Sequence, residues 1–563
     1  MARRGSTRLT SKTSSFHINN AMPMKPQPQT SDDIISRIAA LAPSGAVSAP
    51  AVLQQLQAAT QELIAIFKAQ GRLDQSPVAL AMNRTVDLHR EAAQARLRGR
   101  RVLVTGGAGC VGSRLIPLLI ELGAGEITIV DIAEERGSRI EQTKGLAPIS
   151  YKVDIRDAAA LHAVFAEVKP QVVFHLAGIR EPGRAEAVVR EAIETNVFGT
   201  RNVIDACLHH GVADAIYSST GKCFAYVSDH VYTGSKKLAE AQWVVAARRS
   251  PSTRFSCTRF THIIENGVVA QDIVHGIANG LVGLHGPDRH FNIQNLRQAT
   301  HLLVNALALA GQTPADGFWS AVDLGWPANT LELALYHIDR SGTPAAVSFL
   351  GVPKGYDDAF FRGQYCWSGE SEYHPLINAL EAPTCFGDST GTMAGARVQP
   401  FSDAALAAGL DRLERTLREA TLDAGHAKDA LSKAVAGLAE ATFAAADLSR
   451  LVDVLWWGTA PAWAGTKGSE AARFWLVIGL LTDAVVEGLS QVRAPISMQT
   501  RQKLQDVAQT LSQIDRLANK AQRVNALLAR SLSLPYENTY PPINPILRAI
   551  DCGDSNALPE PLT

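Results

Sequence analysis

Neither sign of charge predominates in this 563-residue chain: Lys and Arg together number 54, as do Asp and Glu. A surface balanced in that way offers no electrostatic footprint for nucleic acid or for an acidic membrane. Cysteine is sparse. The seven thiols, at positions 110, 207, 223, 257, 366, 385 and 552, include no Cys-x-x-Cys pair, which argues against a disulfide framework or a zinc–thiolate centre and for reduced intracellular thiols. Long apolar runs are missing too. The most apolar stretch, Phe474 to Leu481, is eight residues long, far short of the ~20 needed to cross a bilayer. No apolar run of signal-peptide length follows Arg3, Arg4 and Arg8. These absences predict a cytoplasmic protein without a membrane span and without nucleic acid as a partner.

What is present is a change of texture along the chain. Hydrophobic residues make up 46% and charged residues 19% of the total, as in ordinary globular proteins, and the length suits roughly two to four domains. Residues 1–30 read as a flexible tail. Residues 31–98 read as a helical segment, broken at Pro43-Ser-Gly45, in which Leu53, Leu56, Leu63, Ile64 and Phe67 recur at helical spacing and should pack against something. In 99–395, apolar runs at 102–104, 127–130, 172–176 and 215–217 alternate with helical stretches. That alternation predicts an α/β fold, a Rossmann-type doubly wound parallel sheet, with a small substrate lobe. Residues 400–532 are Ala-rich, with Leu410, Leu413, Leu417, Leu431, Val435 and Leu438 at three- and four-residue steps, predicting a C-terminal α-helical bundle. Its apolar stripes exceed what capping one domain needs and predict an assembly element of a homo-oligomer. A Pro-rich tail, 533–563, ends the chain.

The sequence from Arg101 to Gly112 reads as a buried strand, a glycine-rich turn and the start of a helix. Gly106, Gly109 and Gly112 let such a turn be tight and its backbone approach a pyrophosphate, while the helix start, at Cys110 and Val111, supplies free N–H groups and a positive dipole. Asp131 ends the next strand, 19 residues after Gly112, where a carboxylate would take the ribose hydroxyls of NAD and repel a 2′-phosphate. Arg136 and Arg139 nearby keep NADP possible. Asp154 and Ile155 end a third strand, at an adenine position, and Ala177 and Gly178 form a small-residue turn beside the nicotinamide half. Further on, Thr220 ends a fifth strand, and Tyr232 and Lys236 stand four apart on the next helix, on one face. A phenol with a pKa near 10 must fall by ~3 units to act as a base near neutrality, and an adjacent ammonium can supply part of that shift.

With those residues in this order, the chain resembles extended short-chain dehydrogenases/reductases of the polysaccharide-biosynthesis branch, which includes UDP-N-acetylglucosamine 4,6-dehydratases and CapD-type epimerase/dehydratases. The segment Glu191-Ala-Ile-Glu-Thr-Asn196-Val-Phe-Gly-Thr200 resembles that branch's Glu-Ala-x-x-Thr-Asn-Val-x-Gly-Thr. Thr258-Arg259-Phe260 is similar to its strand entering the substrate lobe, and His285-Gly-Pro-Asp-Arg289-His-Phe to its Pro-x-x-Thr-Arg-Tyr-Phe. The resemblance covers about 90–390. It implies a nicotinamide cofactor, a nucleotide-sugar substrate of the UDP-sugar class, Asn196 among the cofactor residues, Lys222 beside the catalytic set, and Arg180, Glu186, Thr261, His262, Asn266 and Arg289 on the substrate side.

One departure bears on the outcome. The dehydratases of the branch carry Ser-Thr-Asp-Lys before the tyrosine, whereas this chain has Ser219-Thr220-Gly221-Lys222. Dehydration needs an acid at C6, and Gly221 has no side chain. The expected activity is therefore oxidation of a sugar ring hydroxyl followed by epimerisation or ketone reduction more than 4,6-dehydration. A dehydrogenase acting on a non-sugar alcohol of secondary metabolism, or a cofactor-binding scaffold, is the alternative. His209-His210 and the thiols read as a helix end and buried side chains, and no metal is expected.

Overall fold

The computed structural model describes residues 30–133, 147–265, 268–368, 374–419, 423–459, 472–491 and 496–532, apart from positions 44, 46, 48 and 358. The tails at either end of the chain, Asn266, Arg136 and Arg139 thus lie outside the described residues.

Six parallel strands, β1 (Arg101–Thr105), β2 (Glu126–Asp131), β3 (Ile149–Lys152), β4 (Val172–His175), β5 (Asp214–Thr220) and β6 (Arg254–Phe260), lie in the order β6-β5-β4-β1-β2-β3. The strand Gly317–Ala321 joins β6 in parallel, and Met393–Arg397 and then Phe386–Gly387 extend that edge antiparallel. The inner strands are buried along nearly their whole length because helices cover both faces. Val102, Val104 and Phe174 face one apolar cluster, while Leu103, Val173 and Tyr217 face another. The chain leaves β1 towards β2 and β3 on one side and returns to β4 on the other. The crevice beyond the C-terminal ends of β1 and β4 is therefore the switch point at which such sheets bind ligands.

The small lobe consists of the helices Val268–Ala278 and Thr330–Ser341 with three two-stranded pieces, among them Leu281–Leu284 paired with Ala346–Phe349. The N-terminal helices Ser31–Leu41 and Pro50–Ala69 pack on this lobe: Leu56, Leu63, Ile64 and Phe67 join Ile273, Val282, Leu335 and Val347 in one core.

Beyond Pro400 the helices Asp403–Leu417, Ala424–Ala445, Leu448–Thr459, Trp475–Gln491, Met498–Ser512 and Ala518–Leu532 follow. The first two lie across the outer face of the sheet's helices, where Leu410, Leu413, Leu431, Val435 and Leu438 pack with Ile193, Val231, Leu238 and Ala241. The remaining helices enclose a core that takes in Tyr226, Phe361 and Leu380 of the α/β unit. Among the described residues no helix is long and apolar enough to cross a membrane.

Candidate active site

The glycine turn follows β1 directly. Gly106 has φ of +71°, a conformation that side chains rarely adopt, and a Cβ there would stand 2.7 Å from the backbone nitrogen of Ala177. The turns after β1 and β4 thus touch at the switch point, which brings Ala177 and Gly178 beside the glycines. Gly112 packs as closely on the Gly106–Gly107 backbone, and Gly109 precedes the helix Cys110–Glu121, placing Cys110 and Val111 in its first turn. The Asp131 carboxylate accepts the Ala108 N–H at 3.0 Å, so it sits on the same loop. Asp154 is engaged by Arg156, whose guanidinium holds its carboxyl below the usual range. Ile155 is buried, and its side chain lies where a Cβ on Gly199 would fall.

Two buried polar side chains fasten these turns. Asn196 accepts from Ile179 N at 2.8 Å and donates to Ile179 O and to the Ser235 hydroxyl, clamping the turn after β4 to the helix that carries Tyr232. His175 joins Thr105 at the end of β1 to Thr200, at 2.8 and 2.9 Å. The Thr200 hydroxyl donates to Asn196 O, so its oxygen accepts from His175 Nε2–H, and Nδ1 accepts from Thr105. Burial, then the Lys236 charge, lowers the His175 pKa to about 3. The ring is a neutral strut.

Tyr232 is the second residue of the helix Val231–Arg249 and Lys236 stands one turn on. The Tyr232 phenol is hydrogen-bonded to Thr220. Burial pushes its pKa up to about 12, against which the Thr220 bond and the charge of Arg180 pull downwards. Lys236 Nζ donates to Ser218 O at 2.8 Å and lies 4.3 Å from the Tyr217 ring centroid; burial brings its pKa to about 8. Thr220, Tyr232 and Arg180 therefore converge, and Lys236 lies behind them against Ser218 and Tyr217. Glu186 does something different: it accepts the Val231 N–H at 2.8 Å at the start of that helix and pairs with Lys428 at 2.6 Å. It holds the helix in place, with both carboxylate oxygens engaged.

On the small-lobe side, the Thr261 hydroxyl donates to Asn292 O at 2.9 Å, fixing the chain as it enters that lobe. His262 is exposed, with its ring edge-on to Phe291 at 5.3 Å, and desolvation followed by the Lys222 charge lowers its pKa to about 4. Lys222 and His262 are thus neighbours. Arg289 is exposed, with its carbonyl taken by Thr330 N.

The sequence reading passed over a buried ion network behind the strand end. Arg259, 1% exposed, pairs with Glu240 and Glu381, each at 2.7 Å, and donates to Leu376 O. Glu240 also accepts from the Ser219 hydroxyl at 2.6 Å. A legible signal existed for Glu240, one turn beyond Lys236, but none for Glu381. The loop holding Glu381 also brings Leu376 onto Gly221: a Cβ at position 221 would overlap the Leu376 side chain.

Residues 102–345 match the family described as polysaccharide biosynthesis protein. The capsular polysaccharide biosynthesis protein CapD of Staphylococcus aureus is 27% identical over 287 residues, 48% of this chain and 46% of that protein. The inverting UDP-N-acetylglucosamine 4,6-dehydratase of Campylobacter jejuni subsp. jejuni serotype O:23/36 is 32% identical over 171 residues, 30% of this chain and 50% of the relative. A UDP-glucose 4-epimerase of Schizosaccharomyces pombe is 33% identical over 126 residues, 22% and 36% of the two chains. The chain spans half or less of the length of these three relatives. The matched unit is an extended short-chain dehydrogenase/reductase domain of the polysaccharide-biosynthesis type.

Proposed function

We propose that this protein is an NAD(P)-dependent enzyme that oxidises a ring hydroxyl of a nucleotide-activated sugar, of the UDP-sugar class, and completes an epimerisation or a ketone reduction in preference to a 4,6-dehydration. The observation that carries this reading is the hydrogen bond between Thr220 and Tyr232, with Lys236 one helical turn on, beside a position, Gly221, that has no side chain and is faced by the tip of Leu376.

The turn fits a dinucleotide. Gly106, Gly109 and Gly112 leave a cradle that Cβ atoms would fill, the first turn of the Cys110–Glu121 helix offers N–H groups to a pyrophosphate, and Asp131 stands at the loop to take ribose hydroxyls. Bound there, a nicotinamide dinucleotide supplies hydride acceptance and return. The protein's own residues handle the proton: Tyr232 removes it from the substrate hydroxyl, with Thr220 orienting that hydroxyl. A phenol held near 12 by burial is a base at neutral pH only with positive charge around it, which Arg180 provides and to which Lys236, one turn along the same helix, adds when its ammonium turns to the phenol. Lys222 and His262 stand on the sugar side of the cleft and serve a partner for the departing or returning proton, whereas no carboxylic acid is offered from position 221.

The test is incubation of the full chain with NAD and UDP-N-acetylglucosamine or UDP-glucose, followed by proton NMR. The C4 epimer is expected with NAD, and, in a parallel incubation with NADH, reduction of a supplied 4-keto sugar with matching oxidation of NADH. Rapid accumulation of a 4-keto-6-deoxy sugar would overturn the preference. Tighter calorimetric binding of NADP than of NAD would show that Asp131 does not set the cofactor choice.

A further inference from the structure

Three imidazoles from two helices meet far from the cleft. His162 lies on the helix Ala158–Val168, while His209 ends the helix Thr200–His209 and His210 caps it. One ring nitrogen of each lies within 4.8 Å of the others. His162 Nδ1 and His210 Nε2 are 3.1 Å apart, and His209 meets His210 edge-on with ring centroids at 4.8 Å. His210 directly precedes the turn into β5, so the trio sits by the N-terminal ends of the strands, at the edge opposite Thr220 and the glycine turn.

We infer that His162, His209 and His210 form a binding site for a borderline divalent transition-metal ion, Zn²⁺ being its natural occupant, which clips the two helices together. Imidazole is the nitrogen ligand such ions prefer. Two nitrogens bound tetrahedrally at 2.0–2.1 Å from zinc stand about 3.3 Å apart, and the His162–His210 pair is already at 3.1 Å. His209, exposed and free to change rotamer, closes the remaining gap. The end of the Thr200–His209 helix presents carbonyls and the negative pole of its dipole, which favours a bound cation. Asp205 stands exposed on the same helix, one turn before His209. The site's role is structural, because no cleft residue touches it. Sequence spacing did not expose it, since His162 comes from a separate helix.

The experiment uses the tag-free full chain, stripped with chelator and titrated with ZnCl2 by calorimetry at pH 7.5, with the melting temperature followed in parallel. One ion per chain and a rise in melting temperature are expected. His162→Ala and His209→Ala should each bind zinc at least tenfold more weakly and lose the thermal shift. His209→Ala is the safer of the two because its side chain is exposed and its ring contacts are with the other two imidazoles. Wild-type affinity should also fall as pH drops from 7.5 to 5.5, when protons compete for the imidazoles. Equal binding by wild type and both variants, or the absence of saturable binding in the wild type, would overturn the inference.

Discussion

At the scale of single residues, the site depends on charges placed around one phenol. Arg180 favours the ionised form of Tyr232. Removing that positive charge must raise the phenol pKa, so Arg180→Ala should move the acid limb of the kcat/KM–pH profile upwards while activity at high pH is largely kept. A profile that stays in place would exclude Arg180 from the electrostatics of the base. Tyr232→Phe should cut turnover by about 10²–10⁴-fold, the usual worth of a positioned acid–base group, without changing cofactor affinity in a calorimetric titration. His175 carries a pH dependence of the opposite kind. Its folded pKa of about 3 lies below the ordinary 6.5, so between those values the unfolded chain binds the extra proton. The stability it contributes is complete above pH 6.5 and is lost as pH falls, by on the order of 5 kcal/mol in total. Urea denaturation from pH 7 to pH 4 should show this loss, and His175→Gln, less stable at pH 7, should show a flatter decline.

At the scale of elements, the loop 374–382 matters as much as the catalytic helix. Through Glu381 and the Leu376 carbonyl it is tied to Arg259, and through Arg259 to Glu240 and the Ser219–Thr220 strand end. A buried network of this kind is worth keeping only when complete, because loss of one partner leaves an unpaired charge costing about 3–5 kcal/mol. The same loop wedges Leu376 onto Gly221. Gly221→Asp alone should therefore destabilise the fold by about 1–3 kcal/mol, as overpacking does, and yield no dehydration product. Combined with Leu376→Ala it should be less destabilising than the two single changes summed, since the pair shares one space. Any 4-keto-6-deoxy product should appear in the double variant first. A single Gly221→Asp variant as stable as wild type in chemical denaturation would mean that Leu376 yields without cost.

For the whole molecule, the helices beyond Pro400 are built into the α/β unit. Leu431 and Val435 stand against Gly234, midway between Tyr232 and Lys236 on the helix they share, and Lys428 completes the Glu186 link to that helix. The apolar stripes read from the sequence as a surface for assembly are buried, at Leu410, Leu413, Leu431, Val435 and Leu438, against the helix Val231–Arg249 and its neighbours. Truncation after Arg397 should expose Val231, Leu238 and Ala241 and cost both solubility and cofactor binding, measured by thermal melting and calorimetry of the shortened chain. A truncated chain with an unchanged melting temperature and cofactor affinity would show that the cover is dispensable.

Residues close in the chain carried what could be read without the structure. The strand–turn–helix at Gly106–Gly112, the carboxylate of Asp131 at a strand end, and the Tyr232–Lys236 spacing are all set by local geometry: the period of a strand or helix and the freedom of glycine at positive φ. The alternation of strands and helices likewise announced a parallel sheet, because each crossover leaves its mark in the order of elements. The pairing of Glu186 with Lys428, of Arg259 with Glu381, of Leu376 with Gly221, and of His162 with His209 and His210 was decided only in three dimensions. Those contacts join elements far apart in the chain, and no periodicity encodes which surfaces meet once the layers have packed. Glu186 illustrates the difference: from its place in the motif it reads as a substrate residue, and in the folded chain its carboxylate anchors the helix that carries the base.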